Sequence, residues 1–327
     1  MKTFNIFFTL LLIVTTSFGQ NKSNPSELYD EFWQWVDKNY IYFDAKKVDW
    51  DAVYQKYAPT ISDTSSETAL FEAMDQSILA LKDAHSVIAK PGKTGSFFDY
   101  KAGYEIHDDF KIIKKNYIKD SLSSSKIMFS GLLSENIGYI RLASFKVSPE
   151  FIGVLKDFKA RKVVKIIIDV RSNGGGNSDP VPKLLSQLVS ERLPIGAYVE
   201  KTGPKHDDVT KPIWIYTEPK SKSDWNIPIV VLINRVSYSA TSYFAAMVKG
   251  LPNIKVVGQT TGGGAGGHLG YQLSNDWLIR VSVSDFIDKE KRSIELGVEP
   301  DIYIENSKED LKNGKDKMLE TAMEVKF

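Results

Sequence analysis

Apolar residues recur at helical spacing through the first ninety residues of the chain. A first helix is predicted from Asn24, because asparagine is a good capping residue and the proline after it suits the first helical turn. A second, short helix is predicted over residues 49–57. A third is predicted to begin at a capping box formed by Thr64 and Glu67. The apolar positions that define the first and third helices are Leu28, Phe32, Trp35, Val36, Leu70, Met74, Ile78 and Leu81.

Beyond residue 136 the pattern changes to apolar runs of strand length that alternate with helical stretches. The runs at 163–170 and 227–233 are almost continuously apolar, which is typical of strands buried on both faces of a parallel sheet. Gly250 is expected to end the helix that follows the second run. The predicted strands are 137–142, 163–170, 227–233 and 255–258, and the predicted helices are 181–188 and 240–248. The predicted fold class is therefore α/β with a largely parallel sheet, preceded by an N-terminal helical subdomain.

Four segments are predicted along the chain. Residues 1–19 have the features of a signal peptide: a positive charge at Lys2, an apolar stretch at 4–14 and small residues near the end. We expect export to the periplasm or the medium; the alternative is an uncut membrane anchor, although the apolar stretch is about half of the roughly 20 residues that a span needs. The other segments are an N-terminal helical subdomain at 20–90, a β-rich connecting segment at 91–135 with a Ser-rich turn at 120–126, and an α/β catalytic domain at 136–327.

Composition excludes several classes of chemistry. The chain has no cysteine, which excludes disulfides, thiolate metal sites, cysteine nucleophiles and a lipoprotein anchor. Its 42 Lys and Arg residues balance 41 Asp and Glu residues, so the net charge of +1 gives no argument for a nucleic-acid partner. No metal is expected, because no helix carries an HExxH-type pair. Histidine chemistry must come from four residues, which are His85, His107, His206 and His268.

A turn at the end of each buried strand carries candidate chemistry. The glycines at 174–176 can point backbone amides at an oxyanion, hold a phosphate or form a plain tight turn, and neither nucleotide motif, GxGxxG or GxxxxGK[ST], is present in this turn. Ser239, where the next helix begins, can be a nucleophile in the positive field of the helix N-terminus or an N-cap. The nearby hydroxyls of Ser237, Thr241 and Ser242 leave the choice of serine open. Together the two turns favour acyl transfer or hydrolysis.

The two turns and the motifs around them resemble the tail-specific, or C-terminal processing, serine protease family. The further motifs that carry the resemblance are Leu-Lys-Asp-Ala-His-Ser at 81–86, Ile-Gly-Tyr-Ile-Arg-Leu at 137–142, Val-Val-Gly-Gln-Thr-Thr-Gly-Gly-Gly at 256–264 and Gly-Val-Glu-Pro-Asp at 297–301. The match follows the family's order from roughly residue 25 to residue 305. It implies a core of the crotonase-like or Clp-protease-like α/β fold.

Two departures from the family pattern point to one of its branches. The processing proteases carry a lysine base in the downstream Gly-rich segment, where this chain has Gly264. No PDZ-type peptide-binding domain, of about 90 residues, fits between the helices and the core. Both features resemble the tricorn-like branch, which includes interphotoreceptor retinoid-binding protein. That branch uses a histidine base with a glutamate behind it.

The resemblance implies a role for individual residues by their place in these motifs. The family's serine beside the histidine is not matched before it, where Ala84 stands, and Ser86 follows His85. His268 is expected to line the substrate cleft, and it is also the rival candidate for the base. The expected catalytic residues are Ser239 as nucleophile, His85 as base and Glu295 as the orienting carboxylate, with Glu299 as its runner-up, and the expected oxyanion donors are the amides of Gly175, Gly174 and Ala240.

These features predict an exported serine peptidase that acts on peptides or protein termini. No cofactor, no nucleic-acid partner and no stable membrane insertion after signal cleavage are expected, and the oligomeric state is left open. The alternative is a catalytically inactive family member that binds a small hydrophobic ligand or a peptide. An aromatic stripe, which can be a ligand surface but is more typical of a core and a domain interface, supports that alternative; it comprises Phe32, Trp33, Trp35, Tyr40, Tyr42 and Phe43. A crotonase-like acyl-CoA enzyme is a third possibility, but it does not account for Ser239 with His85.

Overall fold

The computed structural model describes residues 24–145, 150–219 and 227–327, so the predicted signal peptide lies outside the described residues. The helices are α1 (Pro25–Asn39), α2 (Phe43–Lys46), α3 (Trp50–Tyr57), α4 (Glu67–Ala80), α5 (Phe110–Asn116), α6 (Glu150–Ala160), α7 (Val181–Leu185), α8 (Ala240–Val248), α9 (Lys308–Lys312) and α10 (Lys317–Glu324). The strands are β1 (Val87–Lys90), β2 (Lys93–Thr94), β3 (Asp120–Ser124), β4 (Met128–Ser134), β5 (Ile137–Leu142), β6 (Lys165–Asp169), β7 (Pro194–Glu200), β8 (Ile213–Tyr216), β9 (Ile229–Ile233), β10 (Ile254–Gly258), β11 (His268–Gln272), β12 (Leu278–Ser282), β13 (Ser284–Ile287) and β14 (Ile302–Tyr303).

The described chain forms two compact units that are discontinuous in sequence. The N-terminal unit contains residues 24–98, 204–206 and 268–282, and the core unit contains the described parts of 99–203, 207–267 and 283–327. In the N-terminal unit, helices α1 to α4 accompany an antiparallel sheet with the strand order β11-β12-β1-β2. A hairpin from far downstream, β11 and β12, therefore completes the sheet of the first unit. Within the parts of the chain that the structure describes, no helix is both long and apolar enough to cross a bilayer.

Side-chain caps mark the start of α1, α3 and α4 in the N-terminal unit, whereas α2 begins without one. Asn24 caps α1 in a full capping box with Glu27, which confirms the predicted start. The predicted start of the third helix is wrong: Ser66, not Thr64, caps α4, and its hydroxyl accepts from the amide of Ala69 at 3.2 Å. Thr64 and Ser66 are both good capping residues, and they lie only two positions apart. Thr64 lies in the turn before the helix, where its hydroxyl contacts that of Ser62.

The aromatic residues of the N-terminal unit pack against one another. Trp33 and Trp50 stack with ring centroids 6.4 Å apart, and each indole N–H donates to the other residue's carbonyl. Trp35 stacks on Tyr271 of β11 at 5.0 Å. The other four members of the stripe, Phe32, Tyr40, Tyr42 and Phe43, are buried. The stripe therefore serves as core of this unit, and it gives no support to the ligand-binding alternative.

The core unit is built on a sheet with the strand order β14-β10-β9-β6-β5-β4-β3. The strands from β14 to β5 are parallel, and β4 and β3 are added antiparallel at one edge. This confirms the predicted α/β fold with a largely parallel sheet after an N-terminal helical region. The Ser-rich turn predicted at 120–126 is wrong, because residues 120–124 form the edge strand β3. β3 is a strand because it forms backbone hydrogen bonds with β4, and the polar composition of residues 120–124 gives no sign of this pairing.

Three neighbouring strands of this sheet bring the candidate chemistry to one edge. β6, β9 and β10 are adjacent and parallel, so their carboxyl ends open on the same side. The glycine turn follows β6, Ser239 follows β9, and the glycine run at 262–264 follows β10. Ligands of open parallel sheets bind beyond the carboxyl ends of the strands, which is where these three segments meet.

A buried ion cluster ties the end of β6 to the C-terminal helix. The Arg171 guanidinium donates to both carboxylate oxygens of Asp169, at 3.0 and 2.7 Å, and to Asp316, the N-cap of α10, at 2.9 Å. Burial acts to lower the pKa of Arg171, but the two carboxylates outweigh it and hold the pKa well above its usual value. All three side chains are fully buried, and removing one partner of such a cluster typically costs about 3–5 kcal/mol. The start of the glycine turn is therefore firmly anchored.

Candidate active site

Ser239 occupies a strained turn between β9 and α8. Its backbone has φ 55° and ψ −123°, a region that residues other than glycine rarely adopt and that costs of order 1–3 kcal/mol. It sits at the N-cap position of α8, but its side chain makes no capping hydrogen bond. The N-cap alternative is therefore not realised. A sharp strand-to-helix turn of this kind leaves the hydroxyl available at the positive end of a fully buried helix.

The glycine run after β10 holds this turn in place. Gly263 accepts from the amide of Ser239 at 2.9 Å, and the amide of Gly262 donates to Ser237 at 2.7 Å. Gly264 has φ 79°, and a Cβ added there would collide with the ring of Tyr238. Position 264 therefore has no room for a side chain. The chain has no lysine at this position and the fold leaves no room for one, which argues against a Ser–Lys dyad.

The glycine turn after β6 closely approaches Ser239. Gly175 has φ 103°, and a Cβ on it would lie 2.7 Å from the carbonyl oxygen of Tyr238 and 2.9 Å from the amide nitrogen of Ala240. The amide of Gly175 donates to the side-chain oxygen of Asn173 at 2.9 Å, so it could act as an oxyanion donor only if that bond opens. The amides of Gly174 and Ala240 donate to no acceptor in the described part of the chain. The phosphate alternative is weakened, because the next helix begins only at Val181.

Two adjacent glycines offer a matched test of this close approach. We expect Gly175→Ala to reduce peptide hydrolysis by about 10²–10³-fold, because its Cβ would push the turn away from Ser239 and Ala240. Gly174→Ala should stay within about threefold of wild type, because nothing lies within 4 Å of a Cβ there and the amide is kept. Steady-state kinetics on one unstructured peptide compares the two. Equal losses in both variants would contradict this account of the turn.

Glu295 accepts hydrogen bonds from the segment that also holds the Ser239 turn. Its carboxylate Oε2 accepts from the amide of Ala265 at 2.7 Å, and its carbonyl accepts from Gly264 at 3.2 Å. Its side chain is buried, with the residue 4% exposed, whereas Glu299 is exposed. An exposed carboxylate interacts only weakly with a partner, so burial favours Glu295 over its runner-up as the orienting group. The core unit thus brings together Ser239, the glycine turn and Glu295.

His85 belongs to the N-terminal unit, where a buried aspartate fixes its backbone. Asp83, 1% exposed, accepts from the amide of His85 at 2.8 Å and from the hydroxyls of Ser86 and Ser282 at 2.8 and 2.7 Å. On the other side, the Arg280 guanidinium donates to the carbonyl of His85 at 2.8 Å. The turn that carries His85 is therefore tied to β12, about 200 residues downstream.

The ring of His85 is held in its neutral form. Burial lowers its pKa to about 4; Asp83 acts in the opposite direction, and electrostatic interactions with His268, Arg280 and Lys46 add to the lowering. The ring nitrogen Nδ1 is buried. His268, exposed at the start of β11, lies close, with the two ring centroids 5.5 Å apart. A neutral imidazole at pH 7 is the form that a general base requires.

Two positioning residues were not assigned a role from the sequence. Asn173 captures the Gly175 amide, and Asp83 organises the His85 turn. The spacing of Asp83 two residues before His85 is the local signal that could have identified it, because an aspartate commonly bonds the backbone two residues on. No group of three or more potential ligand side chains that could hold a metal ion occurs within the described ranges.

Comparisons with known proteins match two separate parts of the chain. The family model described as peptidase family S41 matches residues 136–304, and the tricorn protease C1 domain matches residues 22–78. The carboxy-terminal processing protease CtpB of Bacillus subtilis is 24% identical over 226 residues, which is 67% of this chain and 45% of CtpB. The chain thus spans less than half the length of this curated relative.

Solved structures share the fold. A candidate peptidase of Parabacteroides merdae has a TM-score of 0.84 and 30% identity, with 92% of this chain and 96% of that chain covered. The structure of mature CPAF has a TM-score of 0.68, covering 89% of this chain and 94% of that chain. At 11% identity, the second likeness shows the fold alone.

Proposed function

Because the chain belongs to peptidase family S41, we propose that it is a serine peptidase in which Ser239 is the nucleophile, His85 the general base and Glu295 the orienting carboxylate. The observation that carries the proposal is the strained backbone of Ser239, whose hydroxyl makes no capping bond at the start of a buried helix. Strain of this kind is retained where the surrounding structure enforces it, and such positions cluster at active sites.

The proposed mechanism is acyl transfer. Neutral His85 takes the proton of the Ser239 hydroxyl as the oxygen attacks a peptide carbonyl, and Glu295 stabilises the imidazolium that forms. The amides of Gly174 and Ala240, joined by Gly175 if it leaves Asn173, donate to the oxyanion. Each such donor is worth roughly 3 kcal/mol. His85 then protonates the leaving amine, and water repeats the cycle on the acyl-enzyme.

An active-site serine probe tests this proposal directly. We expect a fluorophosphonate to label the intact protein on the peptide that contains Ser239, as read by mass spectrometry. A protein that is neither labelled nor able to hydrolyse unstructured peptides would favour the inactive, ligand-binding alternative instead. Peptides and protein termini are the proposed substrates, as the name of the curated processing protease suggests for its own reaction.

The orienting carboxylate gives a second test. We expect Glu295→Gln to lower kcat by about 10⁴-fold, because the amide keeps the shape of the side chain but cannot stabilise an imidazolium. Glu299→Gln is the matched control and should leave kcat unchanged. A loss in Glu299→Gln with normal activity in Glu295→Gln would reassign the role. Thermal melting of both variants separates catalysis from the contact between Glu295 and Ala265.

We also propose that the protein is exported, on the pattern of its first nineteen residues. Expression with its own N-terminus in a bacterial host should give a mature chain that begins near Gln20, outside the cytoplasm. Edman or mass-spectrometric reading of the N-terminus checks this. A cytoplasmic chain that keeps Met1 or Lys2 would contradict it.

A further inference from the structure

Asn234 lies at the junction of the two turns that carry the candidate chemistry. It follows β9 directly, five residues before Ser239, and it is 1% exposed. On one side it contacts the first residues of the glycine turn. On the other it contacts the backbone that leads into Ser239. No catalytic role can be assigned to it, because a side chain so deeply buried does not touch a substrate.

The side-chain oxygen of Asn234 accepts hydrogen bonds from backbone amides of both turns. It accepts from Ser172 of the glycine turn at 3.0 Å. It also accepts from Val236 and Ser237 of the nucleophile turn at 3.1 and 3.2 Å. One atom therefore joins the backbones of the two turns. Ser172 is itself held at φ 58°, so this part of the glycine turn depends on outside contacts for its shape.

The side-chain nitrogen of Asn234 is fixed by an aspartate. It donates to Oδ1 of Asp108 at 3.0 Å, and the hydroxyl of Ser172 donates to the same oxygen at 2.7 Å. Turning the amide over would place its N–H groups against three backbone N–H groups and its oxygen against a carboxylate. Only one orientation of Asn234 therefore fits, and Asp108 enforces it.

We propose that Asn234, oriented by Asp108, is a positioning residue that sets the spacing between the Ser239 hydroxyl and the oxyanion amides. This inference rests on the proposed function. It predicts an effect on kcat and not on KM, since Asn234 acts through the backbone of both turns. Misplacement of a reacting group by about 1 Å can cost roughly 10²-fold in rate.

Replacing Asn234 by aspartate gives a readout that a purely structural role would not produce. Asn234→Asp keeps the oxygen that accepts the three amides, but it places a second carboxylate against Asp108, and two carboxylates at this distance cannot both ionise freely. At low pH a shared proton restores the missing donor. The activity of this variant should therefore rise as the pH falls.

Two ionisable groups that interact with Asp108, Arg141 and Tyr104, do not titrate in the range of the test. Arg141 of β5 lies 3.9 Å from its carboxylate, and Arg141 itself lies 3.8 Å from Asp169, the partner of Arg171. Burial and Asp108 raise the pKa of Tyr104 to about 12. These two groups keep one charge state between pH 5.5 and 8. His107, the residue before Asp108, lies 3.2 Å from Glu105 and is present in all four proteins of the test. A pH-dependent change confined to Asn234→Asp therefore reports the new carboxylate pair.

The experiment compares kcat and KM of four proteins on one peptide between pH 5.5 and 8. At pH 8 we expect Asn234→Asp to lose about 10²-fold in kcat with KM little changed, and to recover at least about tenfold at pH 5.5. The double variant Asn234→Asp/Asp108→Asn restores one donor and one carboxylate, so it should recover activity at pH 8. The matched control is Asn313→Asp, an exposed asparagine at the end of α9, which should behave as wild type.

The outcomes separate this inference from the proposed function. If the wild-type protein is neither labelled by fluorophosphonate nor active, the proposed peptidase function is contradicted. A labelled, active wild type with an Asn234→Asp variant of unchanged kcat overturns the inference alone. So does a loss in Asn234→Asp that is the same at every pH and is not rescued in the double variant, because it would reflect a general loss of structure. Melting temperatures measured at each pH identify that case.

Discussion

Ser239→Ala should abolish peptide hydrolysis, with a fall in kcat of about 10⁶-fold, as expected when the nucleophile of a cooperating triad is removed. The hydroxyl makes no capping bond, and alanine and serine meet the same backbone strain at φ 55°, so the free energy of unfolding should change little. Steady-state kinetics with a sensitive fluorogenic peptide and a urea unfolding curve measure the two quantities on the same preparation. Loss of activity together with loss of fold would leave the role of the hydroxyl undemonstrated and contradict the expectation.

The hydroxyls near Ser239 have structural partners, so the control for that variant comes from elsewhere in the chain. Ser237 donates to Val170 at 2.9 Å, and Ser242 donates to Thr261 at 2.9 Å, so each of them already has a structural partner. An exposed serine, Ser62, serves as the neutral comparison, and Ser62→Ala should keep full labelling by fluorophosphonate. Labelling that persists in Ser239→Ala would exclude Ser239 as the nucleophile. Labelling of a different serine in the wild-type protein would exclude it as well.

The sequence predicted the central strands because their signal is local. β6, β9 and β10 lie inside the predicted apolar runs or within one residue of them, and α8 has the predicted bounds. Apolar runs of strand length that end in turn residues leave few alternatives. The edge strand β3 was missed because its residues are polar and only its pairing with β4 makes it a strand. Helix α5 was missed for a related reason, since it is only seven residues long.

The same contrast between local signals and long-range contacts applies to the candidate site. The two turns could be found from the sequence, because the glycines and Ser239 follow buried strands within a few residues. The long-range contacts could not, because they join distant positions: Asp108 with Asn234 beside the two turns, and Asp83 with Ser282 beside the His85 turn. The capture of the Gly175 amide by Asn173 is local, but it depends on a side-chain orientation that composition does not specify. Sequence therefore identifies reactive groups more readily than the residues that position them.

The dependence of activity on pH should reveal the unusual environment of His85. With its pKa lowered to about 4 from the ordinary 6.5, the ring stays neutral throughout the physiological range. We expect kcat/KM to be flat between about pH 6 and 8 and to fall only as the pH approaches 4, where the base becomes protonated. An unperturbed histidine would lose half of this activity near pH 6.5.

The same shift predicts a loss of stability in acid. Between pH 6.5 and 4 the unfolded chain binds a proton at His85 that the folded chain does not, so the free energy of unfolding falls as the pH falls, by up to about 1.4 kcal/mol per pH unit from this group. This contribution is complete once the pH is below the folded pKa. Urea unfolding of wild type and of His85→Gln at pH 6.5 and 4.5 measures it, because the glutamine variant lacks the titrating ring. Equal pH slopes in both proteins would show that the ring is not held neutral.

Substitutions of His85 and of His268 should show which of the two histidines is the general base. We expect His85→Ala to lower kcat by about 10⁶-fold, comparable to removal of the nucleophile, because the two groups act as one unit. His268→Gln should raise KM more than it lowers kcat, as expected for a substrate-binding residue, and His107→Gln in the core unit should have no effect. If His268→Gln instead loses activity as severely while His85→Ala retains it, His268 is the base. In that case, the lowered pKa of His85 would reflect only its burial in the N-terminal unit.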